Sequence, residues 1–324
     1  EPFMEFEITP AGGGRTGMST VDLQFTRFTS INPKRLSKRF TRVGNTLVKE
    51  SGGNMTDGIA ERLVVTSPAE FAALLPNLTP NQAICYGISN HDRARVVVKE
   101  AVAKTNGDLP VIARTRDYFE WPSGAGVMML DHDTPAIGPP LDQTALLEAL
   151  SAACPALVDA PAVWRPSASS CIHDAQTDEE LRGIGGQRLY VTVLNARDIP
   201  RAGQALFERL WLAGFGRYEL SKSGAFLART LIDASVFQPE RLDFCGGAEC
   251  GKGLAQRLPD PVLINPTAPY LDTALIRDLT ADERAILDAL MARERAALRD
   301  EQARVREAWI AGQVSERVEK LPEA

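Results

Sequence analysis

The sequence predicts an α/β fold, of the α+β kind, in which helices pack on a mixed β-sheet. Its 324 residues are enough for one large domain or two ordinary ones with a substantial core. Hydrophobic residues make up 44% of the chain and charged residues 24%, the balance of a globular protein. Short runs of strand-forming residues alternate with segments of helical periodicity, which favours helices layered on a sheet.

The predicted elements follow this alternation along the chain. Runs rich in β-branched and aromatic residues, bounded by turn residues, predict strands over 59–65, 83–88, 110–113, 127–133, 188–194 and, with a break at 222–224, 217–236. Apolar residues at helical spacing predict helices over 68–75, 91–104, 142–154, 200–213 and 279–318.

These elements divide the chain into three segments. Residues 1–20 contain a glycine-rich run and are expected to form a flexible leader outside the fold. Residues 21–262 are expected to form the main domain, and the proline-rich stretch 260–269 predicts a linker. Residues 263–324 are expected to be a helical C-terminal segment or connector.

Composition narrows the compartment and the partners. No apolar run reaches membrane-spanning length, and the first residues lack the basic-then-apolar pattern of a signal peptide. Five cysteines without a regular framework are typical of a reducing cytoplasm. The net charge of −6 argues against a protein coated in DNA-binding charge, although a local basic groove is compatible with it.

A local basic segment does occur between Gln24 and Lys49. It contains seven basic residues, no acid and three interleaved phenylalanines: Arg27, Lys34, Arg35, Lys38, Arg39, Arg42 and Lys49, with Phe25, Phe28 and Phe40. Cationic and aromatic side chains together suit a phosphate backbone and stacked bases. A solvated basic surface is the alternative interpretation.

An apolar strand that ends in two acids is the most informative stretch of the chain. Four apolar residues, Val127–Leu130, lead directly into Asp131, His132 and Asp133. Because side chains alternate along a strand, both aspartates point to one face and His132 points to the other. Two adjacent carboxylates repel each other unless a cation lies between them, so a divalent-metal site is one interpretation. A strand that runs out into a solvated turn is the other. His132, facing away, is expected to tolerate replacement far better than the two aspartates.

Two further motifs follow this strand and complete an ordered set. The set consists of MMLDHD with Asp131 and Asp133, SASSCIH with Ser169, Ser170 and His173, and LID with Asp233. In type and order, over about residues 20–260, it resembles the archaeo-eukaryotic primase superfamily, specifically the primase-polymerases of phages, plasmids and other mobile elements.

The second motif departs from that family, whose histidine usually begins a strand after a glycine-containing turn. Here the residues that lead into the strand are Gly185, Gly186, Gln187 and Arg188. Arg188 therefore takes the histidine's place in one alignment, and His173 keeps it in the other.

The resemblance implies a catalytic core with an RRM-like half, a two-metal site and template-directed nucleotidyl transfer. Asp131, Asp133 and Asp233 would hold Mg²⁺ or Mn²⁺. The implied nucleotide-binding residues are Ser169, Ser170, His173, Arg188, Lys222 and Arg229. The implied nucleic-acid-binding residues are Arg35, Lys38, Arg39, Arg114 and Arg116. Each of these cations has ordinary surface charge as its alternative.

The implied partners are a single-stranded DNA template with its primer, dNTPs or NTPs, and a replicative helicase, either fused or separate. The chain contains no GxxxxGK[ST] pattern, so it carries no helicase motor of that class.

A structural Zn²⁺ site is a further hypothesis from the cysteines. Cys171, His173, Cys245 and Cys250 offer a Cys₃His ligand set, although their spacing is not that of the common zinc knuckle. If zinc binds there, His173 is a ligand and the phosphate role passes to Arg188.

Two other functions account for part of the pattern. A nucleotide-sugar glycosyltransferase also binds a metal and a diphosphate at an apolar strand that ends in DxD, but it needs neither the basic segment nor Asp233. A replication initiator that binds DNA without catalysis would keep its DNA binding after loss of Asp131 and Asp133.

Overall fold

The computed structural model describes residues 8–10, 22–133 and 141–319, with the side chains of 8–10 and 314–319 outside the description. The strands of these residues, in chain order, are β1 Ile8–Pro10, β2 Leu23–Asn32, β3 Arg39–Val43, β4 Thr46–Glu50, β5 Asp57–Val65, β6 Gln82–Cys85, β7 Arg93–Val97, β8 Val111–Ala113, β9 Gly126–Asp133, β10 Ala162–Pro166, β11 Ile172–Asp174, β12 Glu180–Arg182, β13 Gly186–Val193, β14 Arg217–Leu220, β15 Phe226–Arg229, β16 Glu249–Cys250, β17 Leu254–Gln256 and β18 Val262–Ile264. The α-helices are α1 Pro68–Leu74, α2 Gln143–Ala153, α3 Ile199–Leu210, α4 Ala281–Ala297 and α5 Arg299–Glu319.

Two five-stranded sheets organise the fold. One has the order β1-β18-β10-β13-β9, with every neighbouring pair antiparallel, and is called the β9 sheet below. The other has the order β6-β2-β5-β7-β8, is antiparallel except for the parallel pair β7 and β8, and is called the β2 sheet. Together with the helices they confirm the predicted mixed α/β class.

A cluster of aromatic rings joins the two sheets into one core. Phe71 on α1 has its ring centroid 5.4 Å from Phe25 on β2 and 5.2 Å from Tyr190 on β13. Tyr86, just after β6, lies 6.1 Å from Tyr190. α1 is fixed between the sheets, and its first turn is capped by the Ser67 hydroxyl, which accepts from the Glu70 amide at 3.2 Å. Residues of both sheets therefore share a single apolar cluster.

Three smaller sheets lie at the edges of this core. β3 pairs with β4 and with β16, β11 pairs with β12 and β17, and β14 forms a hairpin with β15. The β14–β15 hairpin contacts the C-terminal helices, since the Gln302 amide on α5 donates to the Gly224 carbonyl at 3.0 Å. Gly224 has a φ of +76°, a left-handed turn conformation that favours glycine.

The C-terminal helical prediction is confirmed, with one interruption. α4 begins with a capping box in which Thr280 and Glu283 bind each other's backbone amides. It ends at Leu298, whose φ of −101° and ψ of 4° separate α4 from α5. Leu287 on α4 is buried in the main core. No helix in the described part of the chain has the length and apolar character to cross a membrane.

Two predicted elements are wrong, and a third is wrong in part: the strand material expected over 217–236 ends at Arg229, so the residues leading into Asp233 do not form a strand. The helix expected over 91–104 is strand β7 followed by a 3-10 helix over Lys99–Lys104. Arginines and alanines gave this stretch helical character, but Arg93–Val97 pairs with β5, and that tertiary pairing overrides local preference. The linker expected over 260–269 contains strand β18, which lies between β1 and β10. The prolines around this short strand gave it the composition of a linker.

The ends of the main domain also differ from the prediction. The boundary placed between residues 262 and 263 falls inside β18. Within the expected leader, Ile8–Pro10 pairs with β18 as the edge strand of the β9 sheet, whereas residues 1–7 and 11–20 lie outside the described residues. The interleaved phenylalanines Phe25, Phe28 and Phe40 are buried in core clusters and expose no ring for a base to stack on.

Candidate active site

The carboxyl end of β9 carries the two predicted aspartates on one face of its sheet. Strand β9 runs antiparallel to β13, with Asp131 opposite Arg188 and Asp133 opposite Gly186. The Asp131 side chain is 18% exposed, and Asp133 lies on the surface. The alternation predicted from the sequence is therefore present, and the facing strand places a cation beside the first acid.

Arg188 contacts two carboxylates at once. Its Nε lies 3.3 Å from Asp131 Oδ1, and its Nη1 lies 2.6 Å from Asp243 Oδ1. Both contacts are ion pairs by distance without the angles of hydrogen bonds. Burial works against the charged guanidinium, but Asp243 and Asp131 outweigh it and raise the pKa of Arg188 well above its usual value. Arg188 is a permanent cation between the two acids.

Asp243 is the buried member of this arrangement, with a side chain that is 0% exposed. Its Oδ2 accepts hydrogen bonds from the Tyr86 hydroxyl at 2.7 Å and from the Tyr190 hydroxyl at 2.9 Å. Burial first, and the charge of Asp243 second, raise the pKa of each tyrosine well above its usual value. The two phenols therefore remain donors to this carboxylate.

Asp233, the third predicted acid, lies beside β9. Its backbone amide donates to the Asp131 carbonyl at 3.0 Å. Its carboxylate accepts from the Ser235 amide at 2.9 Å and from the Ser235 hydroxyl at 2.8 Å, which caps a short 3-10 helix. The apolar run into Asp233 thus ends next to the apolar run into Asp131, although 102 positions separate the two residues in the chain.

The acids act on one another electrostatically. Burial is the largest cause that raises the pKa of Asp131, Arg188 opposes it, and Asp133, Asp243 and Asp233 add to it. The single nearby guanidinium does not compensate the desolvation and the three like charges. This end of the β9 sheet is a concentration of negative charge.

Lys38 is a second cation whose charge acts on these aspartates. It is half-buried, and burial is the main cause that lowers its pKa. Lys49 and Arg188 lower it further, whereas Asp133 and Asp131 act in the opposite direction. Lys38, one member of the predicted nucleic-acid-binding set, therefore interacts electrostatically with both aspartates and with Arg188.

His132 faces away from the aspartates, as the alternation predicts, but it is not free. Its side chain is 3% exposed, and its Nδ1 lies 2.7 Å from the Leu231 carbonyl oxygen. This contact ties β9 to the segment that carries Asp233. The expectation that His132 tolerates replacement better than the aspartates stays a prediction. Its burial and its contact with the Leu231 carbonyl give it a structural role, because removing the ring would leave that carbonyl without this partner.

The donor types suit a hard divalent cation, since Mg²⁺ and Mn²⁺ prefer carboxylate oxygens. As the side chains stand, Asp131 contacts Arg188 and Asp233 contacts Ser235. Among the described residues, no group of three or more histidine, cysteine or acidic side chains is gathered closely enough to hold an ion. Asp131, Asp133 and Asp233 therefore have the right donor atoms for a metal and lie in a region of excess negative charge. Their carboxylates are not gathered around one point.

The serine-rich turn supports the start of β13. Ser170 is 0% exposed, and its hydroxyl accepts from the Gly185 amide at 2.9 Å and donates to the Gly186 carbonyl at 3.3 Å. The hydroxyls of Ser169 and Ser167 lie 3.1 Å apart and are also buried. The predicted phosphate donors Ser169 and Ser170 are thus engaged within the turn, which holds Gly186 opposite Asp133.

His173 and Arg188 occupy different sheets. His173 lies on β11 of the three-stranded sheet, with its Nδ1 3.1 Å from the Asp178 carbonyl oxygen. Arg188 lies directly opposite Asp131 on β13. Of the two second-motif candidates, Arg188 is therefore the one that lies beside Asp131.

Lys222 and Arg229 lie on the β14–β15 hairpin that precedes Asp233. Arg229 forms an ion pair with Glu219 across the hairpin at 3.3 Å, and Lys222 is exposed at its turn. The turn of the hairpin contacts α5, because the Gln302 side-chain amide donates to the Gly224 carbonyl.

Most of the other predicted nucleic-acid contacts are paired with protein groups. Arg35 lies 3.6 Å from Glu50 and 3.5 Å from Glu249, and Arg39 lies 3.4 Å from Glu249. Arg114 Nη1 donates to the Glu240 carbonyl at 3.0 Å, and Arg116 lies 3.3 Å from the Glu240 carboxylate. Lys38 is the member of this set whose pKa responds to Asp131 and Asp133.

The four proposed zinc ligands do not form a site in the described residues. Cys245 lies in the core with Arg165 donating to its carbonyl at 3.1 Å, whereas Cys250 packs in a separate cluster with Phe40. The four residues come from segments that are distant along the chain. The fold places Cys245 and Cys250 in different clusters.

Asp243, Tyr86 and Tyr190 are the site residues that the sequence did not reveal. Asp243 follows Leu242 and precedes Phe244, so it is an acid within an apolar run, the same signal that identified Asp131. The tyrosines carry no such signal, since nothing local indicates that their hydroxyls meet one carboxylate.

Comparison with protein-family models, with curated proteins and with solved structures gave no match.

Proposed function

We propose that this protein is a DNA primase-polymerase that joins nucleotides on a template by metal-dependent nucleotidyl transfer. The observation that carries the proposal is the convergence of three motif acids on one strand end: Asp131 and Asp133 share a face of β9, and the Asp233 amide donates to the Asp131 carbonyl. These are the three positions that the resemblance to archaeo-eukaryotic primases assigns to the metals.

The divalent metals, when bound, would activate the attacking 3′-hydroxyl and neutralise the leaving pyrophosphate. Asp131, Asp133 and Asp233 would hold them. Arg188 and Lys38 are the cations of the cleft, and they would bind the triphosphate oxygens. In this assignment Arg188, rather than His173, is the phosphate-binding residue of the second motif.

The substrates in this proposal are dNTPs or NTPs, and the partners are a single-stranded DNA template and its primer. The basic segment that contains Lys38 would contact the nucleic-acid backbone. The reaction would take place in the cytoplasm during replication of a mobile element, beside a replicative helicase.

The decisive experiment compares the wild type with the double variant Asp131→Asn/Asp133→Asn. Each protein is incubated with labelled nucleotides, Mg²⁺ or Mn²⁺, and primed or unprimed single-stranded DNA. The wild type is expected to make product, and the variant at least about 100-fold less, since even residues that only support a metal ligand cost 10–100-fold. Asp57→Asn, an acid on the β2 sheet, is the matched control and is expected to keep activity.

Three results would contradict the proposal. Equal product from both proteins would remove the metal role of the aspartates. DNA binding by both proteins without synthesis by the wild type would identify a non-catalytic initiator. Hydrolysis of sugar nucleotides in place of nucleotide incorporation would identify a glycosyltransferase.

A further inference from the structure

Asp243 is a fully buried carboxylate whose ion pair with Arg188 connects it to the candidate site. With a side chain that is 0% exposed, it is closed to a substrate or to solvent. A buried ionised carboxylate is costly unless it is paired and hydrogen-bonded. Here Arg188 supplies the charge at 2.6 Å, and Tyr86 and Tyr190 supply the donors at 2.7 Å and 2.9 Å. Three partners from two sheets meet at one carboxylate.

Arg188 is placed differently toward its two acids. The contact with buried Asp243 is 2.6 Å, and that with Asp131, at the cleft, is 3.3 Å. Its terminal nitrogen Nη1 points inward to Asp243, and the same nitrogen donates to the Phe244 carbonyl at 3.4 Å. The guanidinium is therefore held from its buried side, and its contact with Asp131 is the looser of the two.

The backbone of Asp243 is fixed as firmly as its side chain. It forms an antiparallel bridge with Ile84 of β6, in which each amide donates to the other carbonyl, at 2.7 Å and 3.0 Å. Tyr86 follows two residues after Ile84. Asp243, which holds Arg188, is thus linked to the β2 sheet by its backbone bridge to Ile84 and by the hydrogen bond from the Tyr86 hydroxyl.

We propose that Asp243 is a positioning residue that holds the Arg188 guanidinium at the candidate site. Arg188 then gives up its contact with Asp131 and binds a nucleotide phosphate instead. This inference rests on the proposed function. Because Asp243 neutralises Arg188 from behind, the guanidinium stays compensated when Asp131 turns to a metal. Its remaining N–H groups then face the phosphate, which accepts the charge-assisted hydrogen bonds that Arg forms well. The β2 sheet thereby sets the geometry of a site on the β9 sheet.

The test is a double-mutant cycle between Asp243→Asn and Arg188→Gln, read as the KM for the incoming nucleotide and as kcat. Asn keeps the size of the side chain and an acceptor for the tyrosines but removes the charge. We expect Asp243→Asn alone to raise the KM by about 10–100-fold, the usual effect of losing a supporting partner. In the Arg188→Gln background the same substitution is expected to add nothing, because its effect passes through Arg188.

Tyr86→Phe and Tyr190→Phe keep the inference testable if Asp243→Asn does not fold. Each removes one hydroxyl donor to Asp243, and each is expected to raise the KM only in a protein that retains Arg188. Tyr218→Phe is the matched control, because the Tyr218 hydroxyl is buried without a hydrogen-bond partner.

The outcomes separate this inference from the proposed function. A wild type that incorporates no nucleotide overturns the function. An active wild type whose Asp243→Asn variant has an unchanged KM, or whose two substitutions act additively, overturns the role of Asp243 alone. Loss of kcat in proportion to loss of folded protein, with the KM unchanged, also contradicts it, since that is the result of a purely structural residue.

Discussion

Two cross-strand ion pairs in this protein have the same relation within their sheets and very different surroundings. Arg27 on β2 lies opposite Glu61 on β5, and Arg188 on β13 lies opposite Asp131 on β9. The first pair meets at 2.6 Å with about a third of each side chain exposed. The second is largely buried and has Asp133, Asp233 and Asp243 as further charged neighbours.

The comparison shows where acids have enough cationic partners and where they do not. On the β2 sheet, Glu61 contacts Arg27 and Arg93, and Asp57 contacts Arg95, so each of these acids has at least one arginine partner. At the end of β9, carboxylates outnumber the nearby cations. A balanced surface pair needs no further partner, whereas a surplus of buried negative charge is a place for an added cation.

The largest expected effect comes from breaking the buried pair. Arg188→Gln removes the one ion-pair partner that Asp243 has in the described part of the chain, and leaves its carboxylate buried without that cation. We expect the free energy of unfolding to fall by about 3–5 kcal/mol, the usual result of removing one member of a buried pair. Urea denaturation of the two proteins measures it. A loss no larger than that of Arg27→Gln would show that burial does not distinguish the two pairs.

The second effect concerns the face of β9 that points away from the acids. His132→Ala leaves the Leu231 carbonyl without its partner and empties part of the core, so we expect a loss of about 1–3 kcal/mol. Thermal unfolding measures the loss. The KM for the nucleotide should stay near the wild-type value, because the side chain does not face the cleft. A raised KM with unchanged stability would contradict this division of the strand into two faces.

The third effect is a difference in the sign of pH dependence between the two sheets. The pKa of Asp131 is raised above its ordinary value of 3.8, mainly by burial, so the folded protein holds that proton more tightly. Its contribution to stability therefore declines as the pH rises from that value through the raised pKa. The pKa of Asp57 is lowered, chiefly by the hydrogen bond from Arg95. Its contribution is present above 3.8 and is lost as the pH falls through the lowered pKa.

Unfolding free energies of Asp131→Asn and Asp57→Asn, measured against the wild type across the acidic range in metal-free buffer, separate the two slopes. We expect the differences from the wild type to change with pH in opposite directions. If both differences in unfolding free energy changed with pH in the same direction, the charge of Asp131 would be as well paired as that of Asp57.

The smallest effect is expected at the exposed pair. Arg27→Gln removes an ion pair whose side chains are both partly exposed, and such pairs contribute about 0–1 kcal/mol. Added salt should reduce even this difference, since exposed charges are screened. Urea denaturation at low and high salt measures both the loss of unfolding free energy and its dependence on salt. If Arg27→Gln lowered the unfolding free energy as much as Arg188→Gln, the two ion pairs would not differ in their contribution to stability.

The sequence was sufficient for the elements whose signal is local. The face shared by Asp131 and Asp133 follows from alternation along β9, and the helices α1, α2 and α4 carry their own periodicity and caps. Charge counts along the basic segment were less informative. Glu249, which pairs with Arg35 and Arg39, is distant along the chain, so its effect on these cations depends on the fold.

Asp243 shows why the remainder of the site was not predictable. Its role depends on a bridge to Ile84 and on hydroxyls from Tyr86 and Tyr190, three contacts between distant parts of the chain. The same limit applies to β18, whose three residues are too few for a periodicity and are flanked by prolines. Pairing on both sides, with β1 and β10, makes it a strand.

The position of β18 bears on how the protein can be shortened for expression. A truncation after residue 262 would remove most of β18 and expose the edge of β10 as an unpaired template for aggregation. It would also remove Leu271, Ile276 and Leu287 from the main core. A stable minimal fragment therefore has to extend through α4, and a protease that cleaves the proline-rich stretch should inactivate the protein instead of releasing an intact domain.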